Sequence, residues 1–254
     1  MLGWKMFVRA ITLLLDNLPD ALRVSAVPYA LVVGAGLWLS TRYPDAAGMG
    51  TLIGAEGAEV DPGYITDSLL VALVNLAVTI WVALAWHRYV LIEERPTGWV
   101  PPLHGPEILG YLGRTFLIGL LVAATVLVVS IPIATLAMAM PSGFATLVMG
   151  SAAMFAAMIV FYRLAVVLPA CAIGRSMSFR EALEYTKGHF GTLAVLALLT
   201  VGFSLLLQLP TAIDGAMGLI TVIYQAVVGW IGLLLGVSLL TVLYGHVVEG
   251  RPVD

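Results

Sequence analysis

Long runs of apolar residues, separated by short polar segments, dominate the pattern of this sequence. A helix that crosses a bilayer needs about 20 mostly apolar residues. The pattern predicts six transmembrane helices, at residues 22–40, 67–89, 116–139, 145–166, 192–210 and 217–243. The expected fold is therefore an all-α integral membrane protein, with residues 1–254 forming a single membrane domain.

A different pattern precedes the first apolar run. Lys5, Arg9, Thr12 and Asp16 recur every three or four residues and form one narrow polar stripe on an otherwise apolar helix. Such a stripe predicts a helix that lies in the membrane interface. No signal-peptide cleavage pattern follows it, so we expect this segment to be retained.

Two parts of the sequence recur with a period near 75 residues. WHRYVLIEERP at 86–96 closes the second apolar run in the same way as FYRLAVVLPA at 161–170 closes the fourth. EILGYLGRTF at 107–116 aligns with EALEYTKGHF at 181–190, with Glu, Leu, Tyr and Phe at identical spacing. The recurrence predicts that similar units follow one another along the chain.

Residues typical of helix starts precede both aligned segments. Pro106 suits a first helical position, and the S-x-x-E spacing of Ser178 and Glu181 is that of a capping box. We therefore predict short cytoplasmic interfacial helices that lead into the odd-numbered spans. Together with the N-terminal helix, they divide the chain into three two-span pseudo-repeats, at about 1–90, 91–165 and 170–246.

Composition and charge add a topology to this picture. Of the 254 residues 61% are hydrophobic and 11% are charged, whereas soluble domains carry about 25% charged residues. Eleven of the twelve Lys and Arg residues fall at one set of helix ends, and only Arg42 falls at the other. Because basic residues favour the cytoplasmic side, we predict a multi-pass protein of the bacterial inner membrane with both termini cytoplasmic and an external loop at 41–66.

Basic residues at the predicted cytoplasmic boundary are candidates for contact with anionic lipid headgroups. They are Arg88, Arg114, Arg163, Arg175, Arg180 and Lys187. The alternative is that charges on the short helices pair within the helix, as Arg180 and Glu184 would. Arg163 follows about 27 Å of apolar helix, so its stem would lie along apolar surface while its guanidinium reaches the interface.

Small residues spaced four apart predict close helix packing. Gly232 and Gly236 form a GxxxG pattern in the sixth span, and Ala153 and Ala157 have the same spacing in the fourth. These residues favour packing within the chain. The alternative is contact with other membrane protein subunits or self-association.

Chemistry-bearing residues are sparse. His87 and His246 lie near the ends of two spans and could approach each other as a haem pair, but we favour a role as polar anchors at the interface. The single Cys171 excludes an internal disulfide and a Cys-based metal cage. No nucleophile–base pair, P-loop or dinucleotide fingerprint appears, and no basic patch suggests nucleic acid. We expect no catalytic residue, cofactor or metal.

The stretch RLAVVLPACAIGRSMSFREALEYTKGHFG at 163–191, and more weakly residues 86–116, resembles a group of bacterial inner-membrane proteins. The group includes the YciC-like proteins and the membrane domain attached to some glycerophosphoryl diester phosphodiesterases. The resemblance implies a six-span membrane protein. Residues 1–254 include no segment like the soluble phosphodiesterase domain, so it implies no enzymatic activity.

The predicted spans carry few polar residues and no acidic residue at mid-depth. Ion-coupled transporters usually carry an ionisable residue there. We therefore predict a non-enzymatic accessory or assembly subunit that packs against a larger membrane complex. The alternative is a transporter of lipid or small solute along the axis between the repeats.

Overall fold

The computed structural model describes residues 2–44, 61–139, 143–214 and 219–253. All regular structure in these residues is helical, and the helices are α1 (Leu2–Asp16), α2 (Leu18–Arg42), α3 (Pro62–Ile92), α4 (Gly105–Ala139), α5 (Gly143–Ala165), α6 (Val167–Ala172), α7 (Phe179–Tyr185), α8 (Phe190–Asp214) and α9 (Leu219–Val247). Six candidate spans are confirmed: α2, α3, α4, the α5–α6 segment, α8 and α9. Most of the predicted external loop at 41–66 lies outside the described residues.

The first and last segments of the chain meet at one end of the helix bundle, which we call the termini end. Here the Arg251 side chain donates to the Leu91 carbonyl in the last turn of α3, at 3.1 Å. At the opposite end, which we call the far end, the Tyr43 hydroxyl donates to Asp67 at 2.9 Å and joins α2 to α3. The predicted interfacial segments all belong to the termini end.

One face of α1 is buried in the protein. Its buried residues follow a helical spacing and are Gly3, Met6, Phe7, Ala10 and Leu14. This face packs against α8 and α9. A Cβ at Gly3 would lie only 2.7 Å from the Thr192 carbonyl oxygen, so glycine allows α1 to approach the α8 backbone closely. Lys5, Arg9 and Asp16 of the predicted polar stripe remain exposed.

Residues 107–116, which were predicted to form a separate interfacial helix, are instead the first turns of α4. The segment contains no proline and no described residue with positive φ, so nothing in it ends a helix. The aligned segment does separate, because Gly188 at φ 82° turns the chain between α7 and α8. Its counterpart 74 residues earlier is Arg114, a good helix former. The division into three pseudo-repeats stays a prediction.

The short helix α6 follows α5 after a turn at Val166. Pro169 lies in the first turn of α6, where a missing backbone N–H leaves no intrahelical hydrogen bond unmade. All six residues of α6 are buried, packed between α3, α4 and α9. The proline-containing segment that follows α5 is therefore part of the protein core.

Buried residues concentrate in the half of the bundle nearest the termini end. On α3 they begin at Val78, and on α9 they begin at Leu234 apart from Thr221. Towards the far end, large apolar side chains such as those of Leu73 and Ile220 are exposed. The helices are thus closely packed at the termini end and open towards the far end, where lipid tails or other membrane proteins would contact them.

Candidate functional site

Arg88, in the last turns of α3, is held inside the protein. Its Nε donates to Glu94 Oε2 at 2.6 Å, and its Nη1 donates to the Ala172 carbonyl at 3.0 Å. Glu94 also lies 3.2 Å from His104 Nε2. Only 15% of the Arg88 side chain is exposed. A guanidinium bound to a carboxylate makes a strong charge-assisted hydrogen bond, so Arg88 fastens α3 to the end of α6.

Arg114 joins α4 to α6 in a similar way. Its Nη1 lies 3.2 Å from the Gly110 carbonyl oxygen and 3.1 Å from Cys171 Sγ. The thiol of Cys171 in turn points to the Glu107 carbonyl at 3.7 Å. A Cβ at Gly110 would sit 3.0 Å from this sulfur, so glycine allows the two helices to approach.

Arg163, the charged residue inside the long apolar run, binds the C-terminal end of α7. Its Nη2 donates to the Leu183 carbonyl at 3.3 Å, and its Nε donates to Thr186 Oγ1 at 3.5 Å. Carbonyls at a helix C-terminus lack intrahelical partners and carry partial negative charge. The Arg163 guanidinium supplies a hydrogen-bond donor and a positive charge to these carbonyls. It therefore fastens α7 to α5.

Arg175 and Arg251 share the carboxylate of Glu249. Arg175 Nη1 lies 3.1 Å from Glu249 Oε1, and Arg251 Nε lies 2.7 Å from Oε2. The Tyr244 hydroxyl, 3.5 Å from Arg175 Nη1, and the Glu249 charge raise the pKa of Arg175. These ion pairs hold the segment after α6 to the end of the chain.

Arg180 and Lys187 are the remaining two of the six predicted headgroup residues, and both are exposed. Arg180 Nε lies 3.9 Å from Glu184 Oε1, with both side chains largely exposed, so this intrahelical pair contributes little stability. The structure thus brings four of the six arginine and lysine residues into contact with other segments of the protein. It leaves Arg180 and Lys187 at the surface of the termini end.

The predicted capping box at the start of α7 is present. Ser178 Oγ accepts a hydrogen bond from the Glu181 backbone N–H at 3.2 Å, and Glu181 Oε2 accepts from the Ser178 backbone N–H at 2.7 Å. These bonds to the Ser178 backbone and hydroxyl lower the pKa of Glu181. The box fixes the point at which the surface helix carrying Arg180 begins.

The predicted packing residues fall into two environments. Ala153 and Ala157 are buried, 6% and 5% exposed, on the helix that packs against α4 and α8. Gly232 and Gly236 have no atom within 4 Å of the position that a Cβ would occupy. The glycine pair of α9 therefore presents an open surface in the part of the chain that the structure describes.

His87 is fully buried and links three spans. Its Nδ1 lies 2.8 Å from Thr241 Oγ1 on α9, and its Nε2 lies 3.4 Å from the Tyr111 hydroxyl on α4. The Thr241 hydroxyl already donates to the Val237 carbonyl, so it accepts from His87 Nδ1–H. His87 Nε2 is then free to accept from Tyr111. The arrangement is that of a hydrogen-bonded core histidine.

The sequence did not reveal these partners of His87. Next to it, Trp86 Nε1 donates to Ser238 Oγ at 2.9 Å. A signal existed, since Ser238 and Thr241 stand three apart in an apolar span and therefore share a helix face. Polar residues on one face of a span indicate hydrogen bonds to a neighbouring helix.

His246 lies against His189, with ring centroids 6.3 Å apart, and its Nδ1 is 2.9 Å from the Arg251 carbonyl oxygen. The structure thus places different side chains around His87 and His246. Within the described ranges, no group of three or more His, Cys, Asp or Glu residues is placed to hold a metal ion.

An apolar cavity of about 510 Å³ lies between α2, α3 and α4. All of its lining residues are apolar, and they include Leu31, Leu76, Trp81, Leu103 and Ile108. Trp81 is fixed at one side of the cavity, because its Nε1 donates to the Pro101 carbonyl at 3.2 Å. The lining suits a hydrocarbon chain.

Comparison of the chain with protein-family models, curated proteins and solved structures gives no match, so the interpretation depends on the residues themselves.

Proposed function

We propose that this chain is a non-enzymatic, multi-pass membrane protein that acts as an accessory or assembly subunit and packs against a larger membrane complex. The observation that supports this role is one open face of α9. Gln225, Gly232 and Gly236 are separated by seven and four residues and therefore share a helix face. Glycines on such a face allow a second transmembrane helix to approach closely.

Gln225 gives this face a polar group without a partner among the described residues. The side chain is exposed, and no hydrogen bond joins its amide to any residue that the structure describes. Gln225 lies about 12 Å along the axis from the middle of α9, within the roughly 15 Å half-thickness of the hydrocarbon. An unpaired amide is costly there, and a hydrogen bond to a partner helix would remove the cost.

Site-specific photo-crosslinking in native membranes tests this proposal. A photoreactive residue at position 232 should give a crosslink to a membrane protein, and a bulky Gly236→Leu change should abolish it. Gly119 is the matched control, because it also lies in a span and no atom of a described residue lies within 4 Å of its would-be Cβ. A product of twice the chain's mass would identify a second copy as the partner.

Equal protein crosslinking at positions 232 and 119, or crosslinks to lipid alone at both, would contradict the proposal. A single Gln225→Leu variant separates the two contributions of the face. It keeps the glycines but removes the amide, so the crosslink at 232 should weaken without disappearing.

The apolar cavity between α2, α3 and α4 supports a second candidate function, the transport of lipid or a small solute. A fluorescent phospholipid should then exchange between leaflets faster in proteoliposomes than in protein-free vesicles. Leu76→Trp, which fills the cavity, should slow the exchange, whereas Leu127→Trp on the exposed surface of α4 should not. Exchange no faster than in protein-free vesicles would rule out lipid transport.

We further propose that the termini end faces the cytoplasm of a bacterial cell, with Arg180 and Lys187 near anionic headgroups. Eleven of the twelve Lys and Arg residues belong to this end, and this asymmetry supports the orientation. A protease-cleavable tag inserted after Gly57, a position outside the described residues, should be cut from the periplasm, and a C-terminal tag should not. The reverse result would invert the topology.

A further inference from the structure

Most arginines at the termini end bind other residues of the protein, but Arg9 of α1 does not among the residues that the structure describes. Arg9 is exposed on α1 and has no acidic partner among residues 2–44, 61–139, 143–214 and 219–253. It lines a cavity of about 90 Å³ together with Arg251. No other ionisable residue lines this cavity in the described part of the chain.

The cavity has a fixed wall on the side of Arg251. The Arg251 backbone N–H donates to the Gly245 carbonyl at 2.8 Å, and its Nη2 donates to the Leu91 carbonyl at 3.1 Å. Val253 beyond it is 7% exposed, and the chain that folds back onto α9 forms one wall of the cavity. Glu249 does not line the cavity, but its Oε2 lies 2.7 Å from Arg251 Nε.

Most of the other residues that line this cavity are apolar. They include Leu13 of α1 and Val90 of α3. The same two residues also line an adjoining cavity of about 250 Å³ that reaches Arg95. A cationic pocket of this size admits several water molecules or one phosphate group. The adjoining cavity is lined by Asn17, Tyr89, Glu93 and Arg95 besides Leu13 and Val90, so it offers polar partners for the rest of a headgroup.

We propose that Arg9 and Arg251 form a binding site for the phosphate group of an anionic phospholipid. Guanidinium groups bind phosphate oxygens in a bidentate geometry. Arg9 and Arg251 outnumber the carboxylate of Glu249, and Arg95 offsets Glu93 in the adjoining cavity, so the site keeps a net positive charge. This site is separate from the open face of α9 and does not depend on a partner subunit.

Native mass spectrometry of the full chain in mild detergent, titrated with phosphatidylglycerol, tests the site. Arg9→Gln should weaken binding of the first lipid about fivefold, the effect of one basic residue near a membrane surface. Arg9→Lys should retain most of the affinity. Lys5→Gln is the matched control, because Lys5 is an exposed cation one turn earlier on α1 and lies outside the cavity.

Three results would overturn the proposal. The first is an equal loss of phosphatidylglycerol affinity in Arg9→Gln and Lys5→Gln. The second is equal affinity for phosphatidylglycerol and phosphatidylcholine with the same acyl chains. The third is displacement of the lipid by excess inorganic phosphate. The last result would identify a soluble anion as the ligand. Crosslinking at position 232 should be unchanged in Arg9→Gln, so this proposal and the accessory-subunit proposal can fail separately.

Discussion

Gly229 on α9 is a contact point with α2, and replacing it with alanine measures how closely the two helices are joined. The Tyr29 hydroxyl on α2 donates to the Ala226 carbonyl at 3.0 Å. A Cβ at position 229 would collide with that hydroxyl oxygen, whereas it would lie 3.7 Å from the ring carbon Cζ. The hydroxyl alone therefore excludes a side chain, and Tyr29→Phe should relieve the Gly229→Ala change.

The expected magnitudes distinguish the variants. Overpacking costs about 1–3 kcal/mol, and alanine recovers up to about 1 kcal/mol through helix propensity, so Gly229→Ala should lose about 1–2 kcal/mol. Tyr29→Phe should lose about 0.6 kcal/mol, the average for hydrogen bonds between membrane helices. The double variant loses only that bond and gains the helix propensity, so it should lie within about 0.5 kcal/mol of the wild type.

Equilibrium unfolding in mixed micelles of mild and denaturing detergent gives the four free energies of unfolding. Gly232→Ala is the control on the same helix, because no atom in the described part of the chain lies within 4 Å of its Cβ position, and it should not lose stability. If the double variant loses the sum of the two single losses, the residues are not coupled. The hydroxyl would then not be what excludes a side chain at position 229.

Three further changes test other contacts. Tyr111→Phe should cost about 1–3 kcal/mol because it leaves the buried Nε2 of His87 without a donor, and an unchanged free energy of unfolding would refute that hydrogen bond. Arg163→Gln should release α7 and speed limited proteolysis there, whereas an unchanged rate would show that α7 is held by other contacts. Because hydrogen bonds to Ser178 lower the pKa of Glu181, its contribution should be complete above the ordinary carboxylate pKa of about 4.3 and be lost as pH falls through the lower folded value. The wild type should accordingly lose its stability advantage over Glu181→Gln in acid, and a difference independent of pH would contradict the capping box.

Features that depend on local residue type could be predicted from the sequence. Apolar runs located the six spans, and S-x-x-E spacing located the capping box of α7. The start of α3 was placed too late, at residue 67, because the apolar pattern begins there. The helix starts at Pro62, where Asp61 Oδ1 accepts from the Gly63 N–H at 2.7 Å. That signal is also local and could have been used.

Features that depend on tertiary contacts could not be predicted in this way. Residues facing lipid and residues facing protein are equally apolar in a span, so the open far end left no mark in the pattern. The partner of His87 lies 154 residues away in the sequence. The protein partners of Arg88 and Arg163 could not be predicted, because a single sequence does not show that backbone carbonyls stand within their reach.

Three arginines at the termini end, Arg88, Arg163 and Arg251, bind main-chain oxygens on a different helix, those of Ala172, Leu183 and Leu91. A carbonyl oxygen is the same whichever amino acid bears it, so the acceptor positions are free to change identity during evolution provided that the helices keep their course. The donors have no such freedom, since lysine lacks the planar fork of a guanidinium. A distant relative of this chain should therefore be recognisable by three cations whose acceptors have diverged.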